Sequence, residues 1–124
     1  MVEASEDERR HKLVLVVEDE FFLAIDLDHA LTKAGFKVQG PASTVDQALD
    51  LIASKTPNAA VLDVTLGGEK VTPVALRLKS LGVPFVLATA SDAAELARHD
   101  VFAQVPNLGK PTDMAHLVSV VRDL

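Results

Sequence analysis

Glu18 and Asp19 follow the apolar run Leu13-Val14-Leu15-Val16-Val17, and Asp63 follows Ala59-Ala60-Val61-Leu62. Thr89 follows Phe85-Val86-Leu87-Ala88, and Lys110 follows Val105-Pro106-Asn107-Leu108-Gly109. If these runs are parallel strands, the residues that follow them gather at one edge of the sheet. Three carboxylates, a hydroxyl and an ammonium would then share one site. Such a cluster of carboxylates is unfavourable unless a cation or a proton neutralises it. An all-oxygen donor set suits a hard divalent ion, and Mg²⁺, which keeps several waters and bridges to phosphoryl oxygens, is the natural occupant.

Taken singly, each residue has a plainer reading. Glu18-Asp19 serves equally as an acidic helix N-terminus that complements the macrodipole. Asp63 alone reads as a turn aspartate, Thr89 as a helix cap and Lys110 as a surface lysine. Their occurrence together, each behind a strand-like run, is what favours a site. The four histidines, His11, His29, His99 and His116, have no metal-ligand spacing and are assigned to surfaces or helix faces. Glu69 and Lys70 read as solvated loop charges. Gly67-Gly68 is not followed by Gly-Lys-Ser/Thr and makes no phosphate-binding loop.

The elements that must position these residues follow from the hydrophobic pattern. Short continuous aliphatic runs read as strands buried on both faces, and the amphipathic stretches between them as helices. Strand and helix alternate, so the fold class is α/β around one parallel sheet, with ligands bound outside the carboxyl ends of the strands where strand order reverses. A first strand at 12–17 leads into a helix over 20–34, with Gly35 as its C-cap. A second strand runs from Phe36 to Gln39 and is broken by Gly40-Pro41. Ser43 or Thr44 then caps a helix carrying Val45, Ala48, Leu49 and Ile52 on one face. After a third strand at 59–63, Gly67-Gly68 gives a mobile loop before a helix over 71–81 with Val71, Val74, Leu78 and Leu81 inward. A fourth strand covers 84–88, a short helix 91–98 and a fifth strand 105–109. Thr112 and Asp113 start a last helix that buries Leu117, Val118, Val120 and Val121.

Composition excludes several classes. A chain of 124 residues fits one domain with a proper core, expected over 12–124 behind a disordered N-terminus at 1–11. There is no cysteine, hence no disulfide and no thiolate metal site. The net charge of −6, with no basic cluster longer than Arg9-Arg10-His11-Lys12, argues against nucleic acid as a direct partner. No apolar run approaches the roughly 20 residues of a membrane span, and the acidic start lacks the blocks of a signal peptide. A cytoplasmic location is expected.

The set Leu15-Val16-Val17-Glu18-Asp19-Glu20, Val61-Leu62-Asp63-Val64, Thr89 and Lys110-Pro111 resembles the receiver domain of two-component response regulators. Asp63 lies 44 residues after Asp19, the distance of a strand, helix, strand, helix, strand succession. Leu62-Asp63-Val64-Thr65-Leu66-Gly67-Gly68-Glu69 and Val83-Pro84-Phe85-Val86 are similar to stand-alone receivers of the FAT GUY group. The resemblance implies a flavodoxin-like, doubly wound five-stranded parallel sheet of order 2-1-3-4-5 with five helices. It implies that Asp63 accepts a phosphoryl group from a histidine kinase or histidine phosphotransfer protein, forming an acyl phosphate. Asp19, Asp63 and the backbone carbonyl of Thr65 would bind Mg²⁺, Glu18 acting through water, while Lys110 and Thr89 hold the phosphoryl oxygens. The Lys110-Pro111 bond is implied to be cis.

The chain departs from that family at three places. Asn107 replaces the usual aromatic three residues before the lysine, Ala90 follows Thr89 where the narrower group has Gly, and Thr112 follows Lys110-Pro111 where it has Phe. Phosphorylation chemistry is expected to persist while the conformational readout changes. Three function classes follow: a response regulator acting through protein contacts or as a phosphate sink, a receiver-like interaction module with little phosphate turnover, and a hydrolase. The last needs a carboxylate two residues after the nucleophile, where Thr65 stands, so the chain is expected to catalyse only its own phosphorylation and dephosphorylation. A downstream protein target, and a monomer or a phosphorylation-dependent dimer, complete the expectation. Adjacent Phe21 and Phe22 cannot both face a core, so one is expected exposed beside the site as a kinase-docking residue.

Overall fold

The computed structural model describes residues 12–124, so the expectation of disorder at 1–11 lies outside the described residues. Four strands, β1 (Leu13–Val17), β2 (Lys37–Ala42), β3 (Ala59–Leu62) and β6 (Phe85–Leu87), form a parallel sheet in the order β2-β1-β3-β6. Five helices surround it: α1 (Phe21–Lys33), α2 (Val45–Ser54), α3 (Thr72–Ser80), α4 (Ala93–Ala97) and α5 (Met114–Asp123). Alternation along the strands sends side chains into two cores, as the pleat requires. Val14 and Val16 pack with Leu27 and Leu31 of α1 and Leu117 and Val121 of α5. Leu15 and Val17 pack on the other face with Ile52 of α2 and Val74 and Leu78 of α3.

Local chemistry sets the helix ends. Thr44 caps α2 by accepting a hydrogen bond from Gln47 N at 3.1 Å, and Asp113 caps α5 by accepting from Ala115 N and His116 N at 3.0 and 3.2 Å. Gly35, at φ +98°, turns the chain after α1 where a side chain would be strained.

Four expectations are corrected. Gly40-Pro41 does not break the second strand, which continues to Ala42 through a register shift opposite Leu15 to Val17. Proline is tolerated because β2 is an edge strand with no neighbour on its outer side among the described residues. Gly40 is required there: a Cβ would meet Ala42 N at 2.6 Å. Gly67-Gly68 is the two-residue turn of a small antiparallel hairpin, β4 (Thr65–Leu66) with β5 (Glu69–Lys70), rather than an open loop, because both glycines take the positive φ that such turns demand. Leu81 ends up 37% exposed beyond the last turn of α3. The fifth strand is reduced to one bridge, Leu87↔Asn107, with Leu87 N donating to Pro106 O and Leu108 N to Leu87 O. Pro106 has no N–H to extend the ladder, and Gly109 leaves extended backbone at φ +79°.

Candidate functional site

The site residues inherit their positions from consecutive hydrogen bonds across the sheet. Glu18 N donates to Ala42 O, Asp63 N to Val17 O and Ala88 N to Leu62 O, each at 2.9 Å. Glu18, Asp63 and Thr89 thus sit side by side just past the strand ends, and all three are buried. Asp19 is exposed at the rim, where its Oδ2 accepts from Gly67 N at 2.7 Å.

Lys110 crosses from the far side. Its Nζ lies 2.7 Å from Asp63 Oδ2, 3.2 Å from Glu18 Oε1 and 3.6 Å from Glu20 Oε2. The Lys110-Pro111 bond is cis, as the resemblance implies. Thr112 closes this turn by donating from Oγ1 to Gly109 O at 2.7 Å. Burial alone would lower the Lys110 pKa, but hydrogen bonds to and charges on Asp63 and Glu18 hold it above its ordinary value, so it stays an ammonium. Burial pushes the Glu18 carboxyl up to about 7, aided by the charge on Asp63 and opposed by the Glu20 N–H and by Lys110.

Ligand atoms of Glu18, Asp19 and Asp63 all lie within 4.8 Å of one another. Four carboxyl groups, counting Glu20, therefore face one ammonium, and the excess negative charge is relieved by a proton on Glu18 or by a cation. Glu18 Oε1 is buried and accepts no hydrogen bond, because Lys110 Nζ, 3.2 Å from it, donates to Glu18 Oε2 at 3.3 Å instead. Glu18 Oε2 is engaged, accepting from Glu20 N at 3.1 Å, so the plain helix-capping reading of Glu18 is also realised in part. In the hairpin, Val71 N donates to Val64 O at 2.8 Å. Thr65, opposite Lys70, then falls in the pair that exchanges no hydrogen bonds, and its carbonyl is left out of the ladder. An orphaned buried oxygen, an all-oxygen set and a spare carbonyl suit a hard divalent cation.

The structure brings Glu18, Asp19, Asp63 and Lys110 together. Thr89 is adjacent, but its hydroxyl is engaged within its own loop, donating to Ser91 Oγ and accepting from Ser91 N, both at 3.3 Å. Residues missing from the sequence reading are Glu20, Gly67, Ser91 and the amide of Asn107. Gly67 reads in the sequence as part of a mobile loop; Ser91 bonds Thr89 across only two residues, whereas Glu20 reaches Lys110 and Asn107 reaches Thr89 over contacts between distant segments. Phe21 and Phe22 are both exposed, at 68% and 76%, edge to face with centroids 5.4 Å apart, and Ile25 is exposed beside them. At least one exposed phenylalanine is expected beside the site and both are exposed, because α1 buries Leu27 and Leu31 instead.

No family model matches the chain. It is 33% identical over 103 residues to the Sensory transduction protein LytT of Bacillus subtilis, covering 81% of this chain and 42% of LytT. It is 34% identical over 115 residues to the Response regulator MprA of Mycolicibacterium vanbaalenii, covering 90% of this chain and 49% of MprA. The chain spans about half the length of the curated relatives it matches. Its fold is similar to a crystal structure of a putative response regulator from Chloroflexus aurantiacus, with a TM-score of 0.78 and 26% identity over 91% of this chain and 96% of that one. The receiver domain of the PhyR response regulator of Erythrobacter litoralis superposes with a TM-score of 0.81 at 22% identity, over 91% and 88% of the two chains, a likeness of fold alone. No helix among the described residues is long and apolar enough to cross a membrane. With the acid cluster, the buried Asp63 and the Lys110 contact at the carboxyl edge of a β2-β1-β3-β6 sheet, these likenesses show that the chain has the fold of a response-regulator receiver domain.

Proposed function

We propose that Asp63 is a phosphoryl acceptor served by a histidine kinase or a histidine phosphotransfer protein, and that the chain signals through protein contacts or drains phosphoryl groups from a relay. The observation that carries this reading is the buried Asp63 carboxylate, 2.7 Å from Lys110 Nζ and flanked by two further carboxylates. An Asp63 oxygen attacks phosphorus, the phosphorus–nitrogen bond of a phosphohistidine breaks, and the imidazole leaves with the electron pair. Lys110 stabilises charge on the transferring oxygens, and Thr89 gives up Ser91 to donate to one of them. Glu18, Asp19, Asp63 and the Thr65 carbonyl would hold Mg²⁺, which when bound supplies further neutralisation of phosphoryl charge. Water attack on the acyl phosphate ends the signal, so the only catalysis is on the chain's own phosphorylation state.

The test is intact-mass spectrometry after incubation with a small acyl-phosphate donor, with and without Mg²⁺, on wild type and Asp63→Asn. A Mg²⁺-dependent gain of one phosphoryl group, absent in the variant, supports the reading. No gain in wild type that binds Mg²⁺ favours the alternative, a receiver-like interaction module with little phosphate turnover, with which the fold likeness to PhyR is compatible; one PhyR structure is described as that of an anti-anti-sigma factor. The exposed Phe21, Phe22 and Ile25 beside Asp19 and Glu20 supply an apolar rim for a partner. Phe21→Ala is expected to slow transfer from a phosphohistidine partner several-fold while leaving labelling by the small donor unchanged; equal loss in both assays removes that docking role.

A further inference from the structure

Thr89 and Lys110 lie on different segments, joined to each other at the sheet by a single bridge. One side chain spans the gap. Asn107 Oδ1 accepts from Thr89 N at 3.2 Å and from Gly109 N, next to Lys110, at 2.9 Å. Its Nδ2 faces the carbonyls of Thr89 and Ser91 at 3.4 and 3.5 Å, longer and weaker contacts. The amide orientation is determined by its surroundings, since a flipped Asn107 would aim its N–H groups at two N–H donors. The same amide therefore touches the backbone on both sides of the Thr89 hydroxyl's loop and the residue before Lys110.

We propose that Asn107 is a positioning residue that ties the Thr89–Ser91 loop to the Gly109-Lys110 turn, so that the hydroxyl and the ammonium meant for one phosphoryl group are held in register. This rests on the phosphoryl-acceptor reading of Asp63. It assigns a task to the position where the chain carries an amide in place of an aromatic ring. Movement of Thr89 toward a phosphoryl oxygen, away from Ser91, is passed by Asn107 to the backbone at Gly109. Glu18, Asp19 and Asp63 make no hydrogen bond to Asn107, so cation binding is independent of it.

The test combines amide hydrogen exchange by NMR with phosphorylation by a small acyl-phosphate donor in Mg²⁺, on the full chain. Asn107→Ala is expected to speed exchange at the Thr89 and Gly109 amides by on the order of tenfold each. Exchange at Val61 and Val86 in the sheet should stay unchanged, phosphorylation should slow about tenfold, and Mg²⁺ affinity should hold. Asn107→Asp, which keeps the accepting oxygen, is expected to retain protection at both amides. If Asn107→Ala fails to fold, Asn107→Gln, whose amide is displaced by one methylene, is read in the same way. Unchanged exchange at the two amides, or faster exchange with an unchanged phosphorylation rate, overturns the proposal. A wild type that takes no phosphoryl group overturns the phosphoryl-acceptor reading itself, and that failure is visible without any Asn107 variant.

Discussion

Asp63 stands at the end of a strand paired on both sides, whereas Lys110 stands beyond a segment that touches the sheet at a single bridge. On the first side, β3 is in register with β1 over four residue pairs and with β6 over three, and every residue of Ala59–Leu62 is buried. Backbone hydrogen bonds across the sheet set the positions of Glu18 and Asp63 there. On the second side, Thr89 and Lys110 are held by side chains: Asn107, Ser91 and Thr112 close the loops that the ladder leaves open. The acidic half is thus a rigid floor, and the half that would respond to a phosphoryl group is an adjustable wall. Local openings are cheapest where few ladder bonds must break, so the asymmetry places mobility beside the chemistry without loosening the acid cluster.

Removing core contacts should break the comparison most plainly. Leu62→Ala, at a fully buried position on β3, is expected to cost about 3 kcal/mol in urea denaturation, against about 1 kcal/mol for Leu108→Ala on the bridge segment. Equal costs would mean that the two halves are equally rigid. Next in size is Lys110→Ala, expected to cost about 2 kcal/mol in chelator because Asp63 and Glu18 lose their ammonium. Added Mg²⁺ should restore part of that melting temperature, and a variant as stable as wild type in chelator would show that the wall does not anchor the floor.

Glu18→Gln should act in the opposite direction. The Glu18 carboxyl, raised to about 7 from 4.5, binds a proton in the folded chain over a window where the unfolded chain has lost it. Stability therefore falls as pH rises from 4.5 through 7, and the amide is free of that loss. At pH 8 in chelator the variant is expected to gain about 1 kcal/mol, with the gain vanishing toward pH 4.5. Thermal melts across pH check this, and Mg²⁺ should stabilise wild type more than the variant. The smallest effect belongs to the exposed Lys70–Glu95 pair, 2.9 Å apart, which joins the hairpin to α4. Lys70 holds the Glu95 carboxyl below its usual range, so any contribution is lost as pH falls through that lowered value. Lys70→Ala should leave the melting temperature unchanged at moderate salt; a clear drop would make the hairpin a structural strut between the two halves.

The elements were legible where one face or both faces of a run are buried. Leu13–Val17 and Ala59–Leu62 are aliphatic throughout because helices cover both sides, and the helix over 20–34 is found at Phe21–Lys33. Legibility failed where pairing decides the outcome. Gly40-Pro41 reads as a break in any sequence, and only its place on an edge strand lets β2 run on to Ala42. The fifth run is aliphatic enough for a strand, yet Pro106 and Gly109 cut it to one bridge.

Residue types and spacing by themselves determined the α/β class, the parallel sheet and the gathering of Glu18, Asp19, Asp63, Thr89 and Lys110 at one edge, because burial imposes hydrophobic patterns that are local in the chain. Only the tertiary structure decided that Lys110 rests on Asp63 and Glu18, that Gly67 binds Asp19, that Phe21 and Phe22 both face outward, and that Asn107 spans two loops. Those are contacts between segments distant along the chain, set by strand order and by which backbone groups the ladder leaves unpaired, and neither quantity is written in any local window of the sequence.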